Sequence, residues 1–328
     1  MKIIKKPTVR SHYLPRTYLK HFLLEGQLFM YKKGENFFKK NLTPDERILP
    51  VKGEEGLKNV GLENNLYNIE VDTLNADDIE EIFREYGEND YDEIISSIGD
   101  LADNTKIPKN IKDKLCLFAA AMLVRTPRFK FDHEDSSTKF QKYFMKRDME
   151  RRSVEALKAE LKVEFGEEIS DSLAKNIKDI FISQEYDLEY PNAYFLKFAL
   201  KMLNYFADVF HDMNMCILRN RTDRYFITSD APVVYFVPEN KVNFYNNYKC
   251  LVSPYTELYF PLTKNLSITL NRGPLKELLM PINRELTDIV NYNISHNSYN
   301  FIFSPLKMNS LKEFTETYIP YPFKFNIR

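Results

Sequence analysis

The stretch KMLNYFADVFHDMNMCILRNRTDRYFITSD, residues 201–230, changes texture halfway along. Up to residue 212, Phe195, Phe198, Ala199, Met202, Phe206, Val209 and Phe210 recur at helical spacing and predict a helix over 192–212. Beyond it, MNMCILRN, RYFITSD, VVYFV, ELYFPL and LSITL are short β-rich runs separated by turn residues. Helical chain upstream and strands downstream, without alternation, predict an α+β protein and argue against a doubly wound fold.

Working outward, a helix over 282–297 and a strand at YNFIFS are expected near the C-terminal end. Upstream, 170–184 and the charged segment 136–165 have helical spacing. Residues 109–125 form a helix opened by Pro108, and its LCLFAAAMLV core (115–124) is apolar all round, as in a helix buried on every side. It stops at RTP, because the residue before proline avoids the helical region. A helix over 76–99 carries acids in its first turn, and Gly87 weakens its middle. Residues 42–62 read as loop and LYNIEV as extended. QLFMYKKGENFFKKN reads as a hairpin with Gly34 in the turn, and 11–24 as a short helix. The expected architecture is an N-terminal hairpin, a helical middle and a mostly antiparallel C-terminal sheet. It is read as one domain over 1–328, with residues 216–328 packing on 1–215.

With 44% apolar residues, the 328-residue chain can bury a sizeable core. Net charge is −1 but unevenly spread. Residues 1–40 hold ten Lys/Arg against two acids, whereas 63–103 hold fourteen Asp/Glu against one Arg. Such asymmetry fits a surface for nucleic acid, two segments that face each other, or two separately solvated faces. Cys116, Cys216 and Cys250 are odd in number and far apart, which suits a reducing compartment. No apolar run approaches membrane-spanning length, so a cytoplasmic protein without membrane contact is expected. No GxGxxG, Walker loop, HExxH or GxSxG occurs, and the single His211–Asp212 pair is a weak metal signal.

Chemistry is then sought in polar residues beside structural punctuation. Arg125 ends the most apolar helix and Asp230 closes an apolar strand in FITSDAP. Charges at such places are costly unless paired or used. One reading makes them each other's ion partner; the other makes them functional. Glu81 and Glu88 are seven residues apart and would project from one helix face, about 10 Å apart, unless Gly87 breaks it. A solvated acidic face is the plainer alternative. SHYLPRTYLKHF (11–22) places His12 and His21 among basic residues and aromatics.

In order and spacing, HYLPRTYLKHF, LFMYKKG, two glutamates seven apart, RTP, FITSDAPVV, LYFPLTKNLSITL and VNYNISHNSYNFIFS resemble a bacterial family labelled domain of unknown function 4238. The resemblance spans about residues 10–305. It implies polar positions at His12, Glu81, Glu88, Arg125, Ser229, Asp230 and Asn291, with Asn293 an alternative to Asn291 in the same register. Family members often carry Asn after TSD, where Ala231 stands here. The family has no accepted activity.

The mixture suggests a metal-assisted nuclease or nucleotide hydrolase. Glu81, Glu88 and Asp230 would bind Mg²⁺ or Mn²⁺, His12 would act as acid or base, Arg125 would steady phosphate charge, and Arg16 would be among the basic residues holding the anion. By analogy with scattered, single-gene families of host-defence accessory genes, it would be a defence or toxin-like effector. The alternative is a non-catalytic module that binds nucleic acid through Phe29, Tyr31, Phe37 and Phe38, or protein through helices 136–165. His21 is expected to pack beside Phe22.

Overall fold

In the computed structural model, which describes residues 10–33, 48–67, 76–242, 251–274 and 276–317, the chain is α+β. It divides into two compact units, 1–129 with 196–328, and 130–195.

The first unit begins with β1 (Arg10–His12), α1 (Arg16–Leu19) and a 3₁₀ turn (Lys20–Phe22). β2 (Gln27–Lys32), β3 (Ile48–Lys52), α2 (Gly53–Leu57) and β4 (Leu62–Asn64) follow. Three elements thus occupy the segment read as loop. β3 evades the strand pattern because Pro50 interrupts it; β3 lies at a sheet edge, where proline is tolerated. The hairpin's expected second strand and most of LYNIEV lie outside the described residues. On one side β2 pairs with β3.

The predicted 76–99 helix is broken. α3 (Ala76–Phe83) runs into a π-turn (Arg84–Glu88), and α4 (Tyr91–Asp100) restarts after it. Gly87 sits at φ +111°, where a Cβ would lie 3.1 Å from the Phe118 Cβ. Glycine therefore allows both the break and the close approach to α5 (Lys109–Val124). α5 is buried along most of its length, although Leu117 is exposed. RTP is a corner. Arg125 caps α5, and α6 (Pro127–Arg151) starts at the proline, earlier than its charge pattern suggests. The Thr126 hydroxyl accepts from the Phe129 amide at 3.2 Å, as an N-cap does.

α7 (Val154–Phe165) and α8 (Asp171–Ser183) are capped by Ser153 and Ser170. They belong with most of α6 to the second unit. That unit buries few apolar side chains, Leu157, Ala174 and Phe195 among them, and leaves Phe140, Phe144 and Phe165 exposed. α9 (Asn192–His211) leads back to the first unit.

There the strands are β5 (Asn214–Asn220), β6 (Thr228–Ser229), β7 (Val234–Phe236), β8 (Glu257–Pro261), β9 (Leu266–Asn271) and β10 (Leu279–Ile282). α10 (Arg284–Asn297), β11 (Phe301–Ser304) and α11 (Asn309–Thr317) complete it. One sheet has the order β10-β5-β9-β8-β7, antiparallel except for β10 beside β5. The other, β3-β2-β11-β6, is antiparallel and joins both ends of the chain. Tyr18 ties α1 into the core, with Phe22, Tyr91, Phe118 and Phe260 at 5.2 to 6.2 Å between ring centroids. Its hydroxyl donates to the Pro261 carbonyl at 2.8 Å. Among the described residues no helix is long and apolar enough to cross a membrane.

Candidate functional site

Five segments meet around a cavity of about 280 Å³. β1 brings His12; the Pro15 turn and α1 bring Arg16, Thr17 and Lys20; α3 and its π-turn bring Glu80, Arg84 and Glu88; the end of α5 brings Arg125. Glu54 and Leu57 of α2 complete the wall. The His12 segment is held by backbone. β1 pairs with β4, and the Tyr13 amide donates to the Gly61 carbonyl at 2.9 Å. Gly61, at φ +67°, is needed here because a Cβ would fall 2.6 Å from that of Leu14.

Arg125 is the hub. Its side chain is 2% exposed. Nη1 donates to Glu88 Oε2 at 3.1 Å and Nη2 to the His12 carbonyl at 2.8 Å. The guanidinium lies 5.0 Å from the centre of the Phe83 ring. Burial opposes its charge, but Tyr67 and Glu88 outweigh that and hold its pKa above the ordinary value. The His12 amide donates to Glu80 at 3.3 Å. Burial, then Arg16, lowers the His12 pKa, with Arg125 adding to this; a hydrogen bond to the Lys58 backbone and the Glu88 charge pull the other way. The net shift is downward, so the ring is neutral at pH 7.

Three polar atoms in residues of this wall are buried without a hydrogen-bond partner: His12 Nε2, Arg125 Nε and Thr17 Oγ1. Ser11 Oγ, next in the chain to His12, is a fourth. Each such atom costs about 1–3 kcal/mol, so a cluster at one cavity is unusual for a purely structural region.

Of the residues singled out from the sequence, His12, Arg16, Glu88 and Arg125 line this cavity. The others are placed elsewhere. Glu81 points outward and pairs with Arg84 at 2.7 Å. The two glutamates do not share a face, because the break at Gly87 changes the helical phase between them. Asp230 is buried and accepts from the amides of Tyr299, Asn300 and Phe301 at 2.8, 2.6 and 3.0 Å. The ion partner of Arg125 is therefore Glu88, not Asp230. The Ser229 hydroxyl accepts from the Ala231 amide, and Asn291 bonds to Ile227 and Tyr225 backbone. Asn293 bonds within its own helix, donating to the Ile289 carbonyl. Glu81, Glu88 and Asp230 are thus not gathered into one ligand set, and no group of three or more potential ligands is found among the described residues.

Burial raises the Asp230 pKa to about 6, although the three amides and the Lys33 charge hold it down. Lys33, also buried, is lowered to about 7; it donates to Ser295 and Ser298. The basic and acidic segments of the sequence do meet. Lys20 and His21 both bond to Asp92, and the His21 ring packs edge-on against Tyr91. Tyr31 is buried and Phe29 packs against the core, so neither presents an open stacking face. Phe37, Phe38 and Cys250 lie outside the described residues; Cys116 and Cys216 are free and buried. His211 pairs with Asp113 at 3.0 Å.

Sequence reasoning missed Glu80, Thr17, Arg84 and Glu54. Glu80 was hidden because its partner, the His12 amide, lies 68 residues away in the chain. Arg16 and Lys20, four apart in LPRTYLK, were a readable signal for a shared face.

No curated protein and no solved structure matches the chain significantly. A family model described as protein of unknown function (DUF4238) matches residues 10–307, an interval that contains the whole cavity and both sheets, and the chain belongs to that family.

Proposed function

We propose that the His12–Arg125 cavity binds a phosphate ester and hydrolyses it, which makes the protein a nuclease or a nucleotide hydrolase. The observation that carries this is the cluster of buried, unpartnered polar atoms on His12, Arg125 and Thr17, in one wall with the cations Arg16 and Lys20. A bound phosphate would supply acceptors for the donors and opposite charge for the cations.

His12 suits a general base. A hydrogen bond from the other ring nitrogen to the Lys58 backbone would leave Nε2 as the acceptor of a neutral imidazole. Nε2 would remove a proton from a water as its oxygen bonds to phosphorus. The ester P–O bond then breaks, and the leaving oxygen takes a proton from solvent. Arg16 and Arg125 would stabilise charge on the non-bridging oxygens. Glu80 and Glu88 hold the machinery in place, since Glu88 anchors Arg125 and Glu80 anchors the His12 amide. Glu81, Glu88 and Asp230 lie too dispersed for an Mg²⁺ or Mn²⁺ ligand set, so the reading uses the cavity's own side chains.

The test is turnover of a labelled oligonucleotide and of nucleoside triphosphates by wild type and His12→Gln. The substitution is expected to lower kcat/KM by about 10²–10⁴. In wild type, kcat/KM should fall on acidification with a midpoint below 6.5, because the base must be neutral and its pKa is lowered. Salt-sensitive binding without product, equal in the two proteins, identifies a non-catalytic module instead. Absence of both binding and product overturns the reading.

A further inference from the structure

A second cavity, of about 450 Å³, adjoins the first through a shared residue. Lys20 lines both. The second is built from His21 beside it, from Ile95 and Gly99 of α4, from Arg219 and Arg221 at the end of β5, and from the turn around Lys264 between β8 and β9. Four of its lining side chains are permanent cations, Lys20, Arg219, Arg221 and Lys264, and no acid is among the described lining residues.

Two carboxylates stand behind these four cations. Asp92 takes Lys20 and His21; Asp103 takes Arg219 and Arg221. The positive charge is therefore only partly offset. Lys264 donates to the Leu23 carbonyl at 2.8 Å and pairs with no acid among the described residues. Arg16, in the first cavity, likewise has no ion pair among them. Arg219 is fixed by the carbonyls of Ile98 and Leu101, at 2.6 and 2.9 Å, so its charge is held at the wall. The Arg221 side chain is 63% exposed and can swing to a ligand. Arg16 and Lys20 stand one helical step apart, about 5–6 Å between Cβ atoms. Lys20 thus links Arg16 of the first cavity with Lys264 and Arg221 of the second.

We infer that the two cavities form one continuous site for a ligand with several phosphates in succession, an oligonucleotide or a polyphosphate. This rests on the phosphate reading of the first cavity. A monophosphate would use only the Arg16–His12 end, and a longer chain of phosphates would cross Lys20 and reach Lys264 and Arg221.

Binding of a nucleoside monophosphate, inorganic tripolyphosphate and a labelled eight-residue oligonucleotide is measured with the whole protein by calorimetry and fluorescence anisotropy. Wild type should bind at least one of the two longer ligands about tenfold or more tightly than the monophosphate. Preference for the oligonucleotide or for tripolyphosphate identifies the source of the phosphates. Lys264→Gln with Arg221→Gln should remove most of the gain, and for the oligonucleotide should reduce the slope of log K against log salt by about 1.4. Thermal melts establish that the variant is folded; Lys264→Arg, which keeps the charge, should retain tight binding. Monophosphate binding as tight as that of both longer ligands, or a folded double variant that binds the longer ligands like wild type, overturns the inference and leaves the first cavity's reading standing. Failure of every ligand to bind overturns both.

Discussion

Two regions of the first unit bury charge, and they treat it in opposite ways. Around Asp230, both carboxylate oxygens accept backbone amides from residues 299–301. Lys33 uses its ammonium on Ser295 and Ser298. Around Arg125, two guanidinium nitrogens are satisfied, but Nε is not, and neither are His12 Nε2 or Thr17 Oγ1. The first arrangement has the economy of a structural clasp: it fixes the turn between α10 and β11 against the end of β6. The second leaves polar groups unmatched beside a cavity, which a fold selected for stability alone would not retain. Satisfaction, more than burial, distinguishes the two.

Removing the clasp should have the largest effect. Asp230→Ala strips three amides of their buried acceptor and leaves Lys33 without its nearby countercharge. A loss of about 3–5 kcal/mol is expected in chemical denaturation. At conditions where the variant is still folded, phosphate-ligand affinity should match wild type. A stable variant with lost affinity would reverse the assignment and return Asp230 to the site.

An intermediate effect separates backbone from side chain in the cavity. Gly87→Ala places a Cβ at φ +111° and 3.1 Å from the Phe118 Cβ. A cost of about 1–3 kcal/mol is expected. Because Gly87 adjoins Glu88, the change should also shift Glu88 against Arg125 and weaken phosphate binding by more than its stability cost alone explains. Equal binding in the two proteins would show that the π-turn is not what aims Glu88.

The helices and strands of this fold were readable where one periodicity ran unbroken, as in α5, α9, α10 and β11. The sheet that joins β2 to β11 was not, because pairing between residues 27–32 and 301–304 leaves no local trace in the sequence. β3 was hidden by Pro50, and the start of α6 by a proline that reads equally as a stop or as a first helical residue. At the candidate site, His12 and Arg125 stood out as polar residues beside punctuation, Glu88 as one of two glutamates seven apart, and Arg16 as one of the basic residues around His12. Glu80 did not, because its partnership with the His12 amide crosses 68 residues. Asp230 stood out for the same reason as Arg125, and only coordinates tell a charge fully bonded by amides from one left partly unmatched.

The smallest effect is expected at Glu81, seven residues before Glu88 and on the other side of the break at Gly87. Glu81 and Glu88 are both glutamates that bond to arginine, yet Glu81 is 54% exposed and pairs with Arg84 at the surface, while Glu88 is 17% exposed and pairs with buried Arg125. An exposed pair separated by three residues is worth about 0.3–0.5 kcal/mol, because solvent screens it and two long side chains must be ordered to form it. Glu81→Ala should therefore change stability by less than about 0.5 kcal/mol and leave phosphate binding and turnover within experimental error. Glu88→Ala, by contrast, leaves a buried guanidinium without its counterion. If Glu81→Ala abolishes turnover in a protein of unchanged stability, then residue 81 acts on substrate from outside the cavity, and the division between satisfied and unsatisfied charge fails as a guide to this site.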